Sequence, residues 1–225
     1  MNFAGEFETH ITVKLQDLER IDRLQQWGIE RNLKFLHILL ERGTNISQPM
    51  LTRRGRGDFA DELEIANDLA QALTAEDFAV VRIKIEAAPW NQGVPQSDVE
   101  AYLHPAYRYF EHHIKLLLES DLDSPLRELV QLHSAHLSRN ALQTRNDGFG
   151  QRFVTQRCIG VGRIAAKKQL QILVDSIESL GYHPIDIESE FVVYDSNLAL
   201  DKGWIHDPYL KDPNLSRSIQ KVAVN

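Results

Sequence analysis

Phe7-Glu8-Thr9-His10-Ile11-Thr12-Val13 is the stretch whose reading decides the fold, because a shift of 103 positions sets it on Phe110-Glu111-His112-His113-Ile114-Lys115-Leu116. The same shift sets Gln48-Pro49-Met50-Leu51-Thr52-Arg53-Arg54 on Gln151-Arg152-Phe153-Val154-Thr155-Gln156-Arg157 with no gap between the two blocks. Residues 7–57 give 11 identities in 51 positions, where unrelated residues at ordinary frequencies would give about three. One added residue then aligns Phe78 through Glu86 with Tyr182 through Glu190. A duplication of this extent governs every later assignment of elements.

Each copy predicts the same run of elements. In the first, Phe7 to Leu15 alternates as a strand, and Asp17 caps a helix carrying Leu18, Ile21, Leu24 and Trp27. Strands are expected at 35–41 and 48–54 around a Gly-Thr-Asn turn, then a helix carrying Leu63, Ala66, Leu69, Ala70 and Leu73, then a closing strand at 78–87. The second copy predicts a strand at 109–118, a helix opened by Ser124-Pro125, and strands at 136–141 and 151–158. A helix with Ala166, Leu170, Leu173, Val174, Ile177 and Leu180 on one stripe follows, stops at Gly181, and leads into a last strand.

The order βαββαβ is the ferredoxin-like arrangement, an antiparallel sheet with both helices on one face. The expected fold class is therefore α+β: a tandem duplication of a ferredoxin-like unit, giving two antiparallel sheets related by a pseudo-twofold axis. Residues 1–90 form the first repeat, 91–107 a linker, 108–195 the second repeat and 196–225 an irregular C-terminal tail.

Composition narrows the class of function. A formal charge of −7 over 225 residues disfavours non-specific nucleic-acid binding, which needs a basic surface to neutralise phosphates. Cys158 is the only cysteine, so neither an intramolecular disulfide nor a Cys-rich zinc site is available. No apolar stretch approaches the roughly 20 residues that span a bilayer, and the N-terminus lacks the pattern of a secretory signal. The chain is expected to be cytoplasmic, with a small anionic ligand as its partner and no membrane association.

Alternation fixes where the polar residues point. Phe7, Ile11, Val13 and Leu15 share the helix-covered face, leaving Glu8, His10, Thr12 and Lys14 on the other. Gln48, Met50, Thr52 and Arg54 share a face, as do Arg82, Lys84 and Glu86. The second copy repeats this with Glu111, His113 and Lys115, with Thr155 and Arg157, and with Asp186, Glu188 and Glu190. The ferredoxin-like strand order places the first strand between the third and the fourth. His10 would then stand beside Thr52, Arg54 and Glu86, and His113 beside Thr155, Arg157 and Glu190, in one cleft between the halves.

Three readings of that face stay open. In the first, the charges of Arg54, Arg157, Glu86 and Glu190 pair across an inter-repeat interface and do no chemistry. In the second, His10 and His113 act as general acid and base with Glu86 and Glu190, while Thr52, Arg54, Thr155, Arg157 and Lys115 hold an anionic, phosphorylated substrate. In the third, His10, Glu86, His113 and Glu190 hold a divalent metal as cofactor.

His10-Ile11-Thr12-Val13 resembles the His-x-Thr motif of the 2H phosphoesterases, a two-lobed family with two such motifs. The resemblance implies an acid/base pair at His10 and His113, although His113-Ile114-Lys115-Leu116 carries Lys where that family has Thr or Ser. The repeated His and Glu are similar in ligand logic to the glyoxalase and extradiol-dioxygenase superfamily, which implies a metal site built from paired modules. Across Tyr109-Phe110-Glu111-His112-His113, Arg152-Phe153-Val154-Thr155-Gln156-Arg157-Cys158 and Glu190-Phe191-Val192-Val193-Tyr194-Asp195 the chain resembles a bacterial protein family of unknown function, and this resemblance implies no activity. His112 points toward the apolar face and is expected to be a packed histidine. Thr52-Arg53-Arg54-Gly55-Arg56-Gly57 reads either as a phosphate loop or as an ordinary turn, and Cys158 as packing.

Overall fold

Alternation along the first strand separates two environments, and the computed structural model, which describes residues 2–15, 17–119, 124–142 and 149–204, shows what each one faces. The first half runs β1 (Ala4–Lys14), α1 (Leu18–Glu30), β2 (Lys34–Leu40), β3 (Ser47–Asp58), α2 (Phe59–Ala75) and β4 (Ala79–Ala87). A one-turn helix, α3 (Asp98–Ala101), lies in the connection. The second half runs β5 (Tyr109–Glu119), α4 (Ser124–Leu132), β6 (Ala135–Asn140), β7 (Phe149–Ile159), α5 (Arg163–Ser179) and β8 (Pro184–Asp195). Both halves are βαββαβ, all eight strands pair antiparallel, and the class is α+β.

The expectation of two sheets is corrected to one. The strands close into a barrel in the order β1-β3-β2-β6-β7-β5-β8-β4. Each half keeps the ferredoxin-like order, with its first strand between its third and fourth. The outer strands of one half then pair with those of the other, β2 with β6 and β4 with β8. The physical reason is that an open four-stranded sheet leaves two rows of unpaired backbone groups, and closure satisfies both.

Closure turns the helix-covered faces outward and the polar faces inward. Outside, Ile11, Leu24, Trp27, Leu51, Leu73 and Phe78 pack one cluster under α1 and α2, and Ile114, Leu126, Val130, Leu137, Val154 and Leu173 its counterpart under α4 and α5. A third cluster joins the halves through Phe3, Phe7, Phe110 and Phe191. Asp17 caps α1 as expected, its carboxylate accepting from the Arg20 N–H at 2.8 Å.

Two details of the alignment change. In the first half Lys34 faces Thr52, whereas in the second His136 faces Thr155, so β2 and β6 correspond at a shift of 102, one residue away from the ungapped reading. The Gly-rich stretch 52–57 is neither a phosphate loop nor a turn: β3 continues through it, with Gly55 opposite Phe7 and Gly57 opposite Gly5. A Cβ at Gly55 would run into the buried Glu62 carboxylate and the Arg53 guanidinium, which pair with each other and would have to shift.

The stretch 91–107 contains α3, capped reciprocally by Ser97 and Glu100, with Val94 and Ala101 buried. In the tail, Leu198–Asp201 forms a 3-10 turn, and Asp201 and Trp204 are buried. Residues 205–225 of the expected irregular tail lie outside the described residues. No helix among the described residues is long and apolar enough to cross a membrane.

Candidate functional site in the barrel interior

An eight-stranded barrel is just wide enough to be filled by side chains or to hold one small ligand. Here the interior keeps a cavity of about 240 Å³, lined by Glu8, His10, Lys84, Glu111, His113, Lys115, Thr155, Arg157, Glu188 and Glu190 among others. Four adjacent strands, β1, β4, β8 and β5, bring His10, Glu86, Glu190 and His113 along one arc of the wall.

His10 is held at both ring nitrogens. Its Nε2 is 2.7 Å from Glu86 Oε2 and its Nδ1 2.8 Å from Thr52 Oγ1. An ionised carboxylate only accepts, so Nε2–H donates to Glu86, while Nδ1 shares a hydrogen bond with the Thr52 hydroxyl. The cross-strand neighbours of His10 are Thr52 and Lys84, so it meets Glu86 on the diagonal.

His113 repeats half of this. Its Nδ1 is 3.1 Å from Thr155 Oγ1, but Nε2 stands 3.4 Å from Glu111 Oε1 and 3.7 Å from Glu190 Oε2. Its side chain is 26% exposed against 13% for His10. Of the two imidazoles, His113 is thus the looser and the more open to the cavity.

Lys84 organises the carboxylates between them. Its ammonium donates to Glu111 Oε1 at 2.6 Å and stands 2.6 Å from Glu86 Oε1. Burial acts to raise the Glu86 carboxyl, yet the charges of Lys84 and His10 hold it well below the usual carboxylate range. Glu111 is held low in the same way by Lys84 and Arg157. Glu190 goes the other way: burial, then the negative charges of Glu86 and Glu8, push it well above the usual range. Glu86 and Glu190 are thus shifted in opposite directions, the separation between neighbouring carboxyls that acid/base chemistry uses.

The two arginines expected to hold an anion occupy different surroundings. Arg54 is exposed and pairs with Glu8 at 2.6 Å and Glu188 at 3.4 Å. Arg157 is buried, donating to Glu111 at 2.6 Å and to Asp201 at 2.7 Å, with its guanidinium 4.7 Å from the centre of the Tyr109 ring. Asp201 also pairs with Arg82 at 3.0 Å and accepts from Gln48 at 3.0 Å, so the 3-10 turn is tied into the barrel by charge. Arg82 is held further by Asp195.

Sequence reading did not single out Glu111, Lys84, Lys34 and Asp201 as site residues. Glu111 was within reach, since the 103-residue shift sets it on Glu8. Asp201 carried no signal, lying where no periodicity marks an element. Lys34 and Lys115 line the cavity with no hydrogen-bond or ion-pair partner among the described residues. Donor atoms of Glu86, Glu111 and His113 lie within 4.8 Å of one another. That cluster shares Glu86 and His113 with the expected metal set and has Glu111 where His10 and Glu190 were expected.

Outside the site, His112 is packed as expected: Nδ1 is 2.9 Å from Ser189 Oγ and Nε2 is 3.2 Å from the Ala166 carbonyl. Cys158 is buried in the cluster that joins the halves.

No family model and no curated protein matches the chain. Among solved structures it is similar to the acetolactate synthase small subunit from Thermotoga maritima, at 11% identity and a TM-score of 0.29, covering 84% of this chain and 94% of that one. It is also similar to chlorite dismutase from Candidatus Nitrospira defluvii. An arginine-to-alanine variant gives 12% identity, TM-score 0.30 and coverage of 88% and 93%. The imidazole complex gives 11%, 0.29, and 85% and 92%. At this level of likeness the fold rests on the strand pairing of the chain itself.

Proposed function

We propose that the barrel interior is a proton-transfer site for a small anionic molecule, with His113 and the protonated Glu190 as the exchanging groups and Lys34 and Lys115 as counter-charges to the anion. The two βαββαβ halves are read as copies of one duplicated unit, related by a pseudo-twofold axis, whose sites have diverged. One copy fixes its imidazole between Thr52 and Glu86; the other holds His113 Nε2 more loosely, 3.4 Å from Glu111 and 3.7 Å from Glu190. The observation that carries the reading is that the half-buried Lys115 and the exposed Lys34 have no hydrogen-bond or ion-pair partner among the described residues, on the cavity that His113 and His10 also line.

Three physical points support it. An imidazole and a neutral carboxylic acid on one arc supply a base and an acid at neutral pH. Backbone N–H groups inside a barrel are consumed in strand pairing, so charge on a ligand has to be met by side chains, and lysines serve. The charges on Glu111, Glu86 and Asp201 are already matched by Lys84, Arg157 and Arg82, which leaves the free lysines to answer an incoming anion. A phosphoester is one substrate class that would use both an acid and a base.

The metal reading draws support from the Glu86, Glu111 and His113 donors. Against it stands the Lys84 ammonium, which already sits on both carboxylates where a cation would bind.

The test is titration of the purified protein with acetate and with inorganic phosphate, followed by calorimetry and by the imidazole resonances of His113. Saturable binding is expected, weakened at least tenfold in the Lys34→Met, Lys115→Met double variant, with a shift of the His113 resonances. Binding that is absent, or that is unchanged in a folded double variant, sinks the proposal.

A further inference from the structure

The cavity wall is divided by chemistry, and the division says more about the ligand than its charge does. Going round the barrel, the contiguous strands β5, β8, β4 and β1 contribute only ionisable groups and Thr12 to the lining. Every apolar lining residue comes from elsewhere: Leu36, Ile38 and Leu40 on β2, Met50 on β3, Phe153 on β7, and Trp204 beyond the 3-10 turn. Leu40 and Trp204 are buried against each other with Ile38 packed on them, whereas Leu36, Met50 and Phe153, like Ile38 itself, are only partly buried and line the open space.

We propose that the ligand is an anion with an apolar body of about one ring. Its reacting end lies on the β5–β8–β4–β1 arc and its body lies against Leu36, Ile38, Met50 and Phe153. This rests on the acid/base reading above and adds the rest of the molecule. A ligand that was charged all over would leave four apolar side chains unmatched and would surrender its own hydration against them. An apolar molecule without charge would bury Lys115 and His113 unanswered. A molecule with one end of each kind satisfies both walls, the usual anatomy of a small-molecule site.

Size sets the upper limit. A volume of about 240 Å³ is the space that about eight waters fill in the liquid, and it lies below the range of pockets for drug-sized ligands. A single ring with a short acidic arm fits it.

Met50 makes the test possible without altering the wall, since it is one of only two methionines in the chain. In protein labelled with ¹³C at the methionine methyls, Met50 reports from the apolar wall while the His113 resonances report from the polar one. The probes are phenylacetate and phenyl phosphate, with acetate and inorganic phosphate as heads alone and benzyl alcohol as the ring alone. Expected are a ring-current shift of the Met50 methyl with phenylacetate or phenyl phosphate, and binding at least tenfold tighter than that of the matching head. Phe153→Leu is expected to reduce that advantage.

If heads and ring-bearing anions bind equally and Met50 does not move, this inference fails while the proton-transfer reading stands. If benzyl alcohol binds as well as phenylacetate, the anion reading fails and this inference with it. Binding of none of the probes overturns both.

Discussion

His10 Nε2 lies 2.7 Å from Glu86 Oε2, and the other oxygen of that carboxylate lies 2.6 Å from the Lys84 ammonium. Glu86 is fully buried and answers two groups at once, so an amide in its place would take away one of the two carboxylates that answer the buried Lys84 ammonium. Glu86→Gln is expected to cost about 3 to 5 kcal/mol, the usual effect of breaking a buried pair from one side. Burial and the charges of Glu86 and Glu8 push the Glu190 carboxyl well above the usual range, so Glu190→Gln is expected to cost no more than about 1 kcal/mol. Urea unfolding of the two variants checks the contrast; equal losses would mean that Glu190 carries charge in the native state.

His112 makes folding sensitive to mild acid. Its Nε2–H donates to the Ala166 carbonyl and its Nδ1 accepts from Ser189, and burial lowers its pKa from 6.5 to about 4. Between those values the unfolded chain takes up a proton that the native one refuses, so the contribution to stability is whole above pH 6.5 and is lost as pH falls toward 4. The loss amounts to about 3 kcal/mol at one unit per 1.36 kcal/mol. His112→Asn should flatten the pH dependence of the urea midpoint over that window, whatever it does to the midpoint itself.

Cys158 is expected to be inert. Burial pushes its thiol up to about 12, and only the thiolate reacts with alkylating agents. Iodoacetamide at pH 8 should leave the native protein unmodified and label the denatured chain, as mass spectrometry would show. Rapid modification of native protein would contradict this packing.

Two glycines three positions or fewer from Arg54 should respond in opposite ways. A Cβ at Gly55 would collide with Glu62 and Arg53, whereas one at Gly57 meets nothing within 4 Å. Gly55→Ala is expected to lose about 1 to 3 kcal/mol through overpacking. Gly57→Ala should be neutral or slightly stabilising, because it restricts the unfolded chain. Thermal melting of the pair decides whether residues 52–57 are a packed strand.

Lys84→Met would remove the cation that bridges Glu86 and Glu111 and leave the Glu86, Glu111 and His113 donors with only Arg157, on the far oxygen of Glu111, and His10 as cationic neighbours. The variant should be less stable than the parent and should gain about 2.7 kcal/mol of it back from Zn²⁺ or Mn²⁺ at a hundredfold excess over Kd. Wild-type protein should show no such gain in a melting curve. A metal-dependent rise in the wild type would favour a metal site over the bound lysine.

How far the residues themselves announced this arrangement can be seen strand by strand. The alternation in Phe7 to Leu15 placed His10 on the polar face, and the repeat carried the same assignment to His113; both stand opposite a threonine, as aligned. Register on β4 and β8 also followed the alignment, with Glu86 opposite Glu8 and Glu190 opposite Glu111. Arg54 and Arg157 show where such reasoning stops. They are equivalent in sequence, yet one is exposed beside Glu8 and the other is buried against Asp201. The difference comes from a 3-10 turn that closes on one of them, and that turn has no counterpart in the repeat.

The sequence by itself determined the duplicated βαββαβ order and which side chains share a face, because periodicities of 2 and 3.6 are local properties of the chain. Only the tertiary structure decided that the polar faces turn inward on one cavity, that the Glu190 and Glu86 carboxyls are shifted in opposite directions, and that Lys34 and Lys115 have no ion-pair partner among the described residues. Those outcomes depend on which strand edges meet and how deeply each charge is desolvated, and both are set by contacts between residues far apart in sequence.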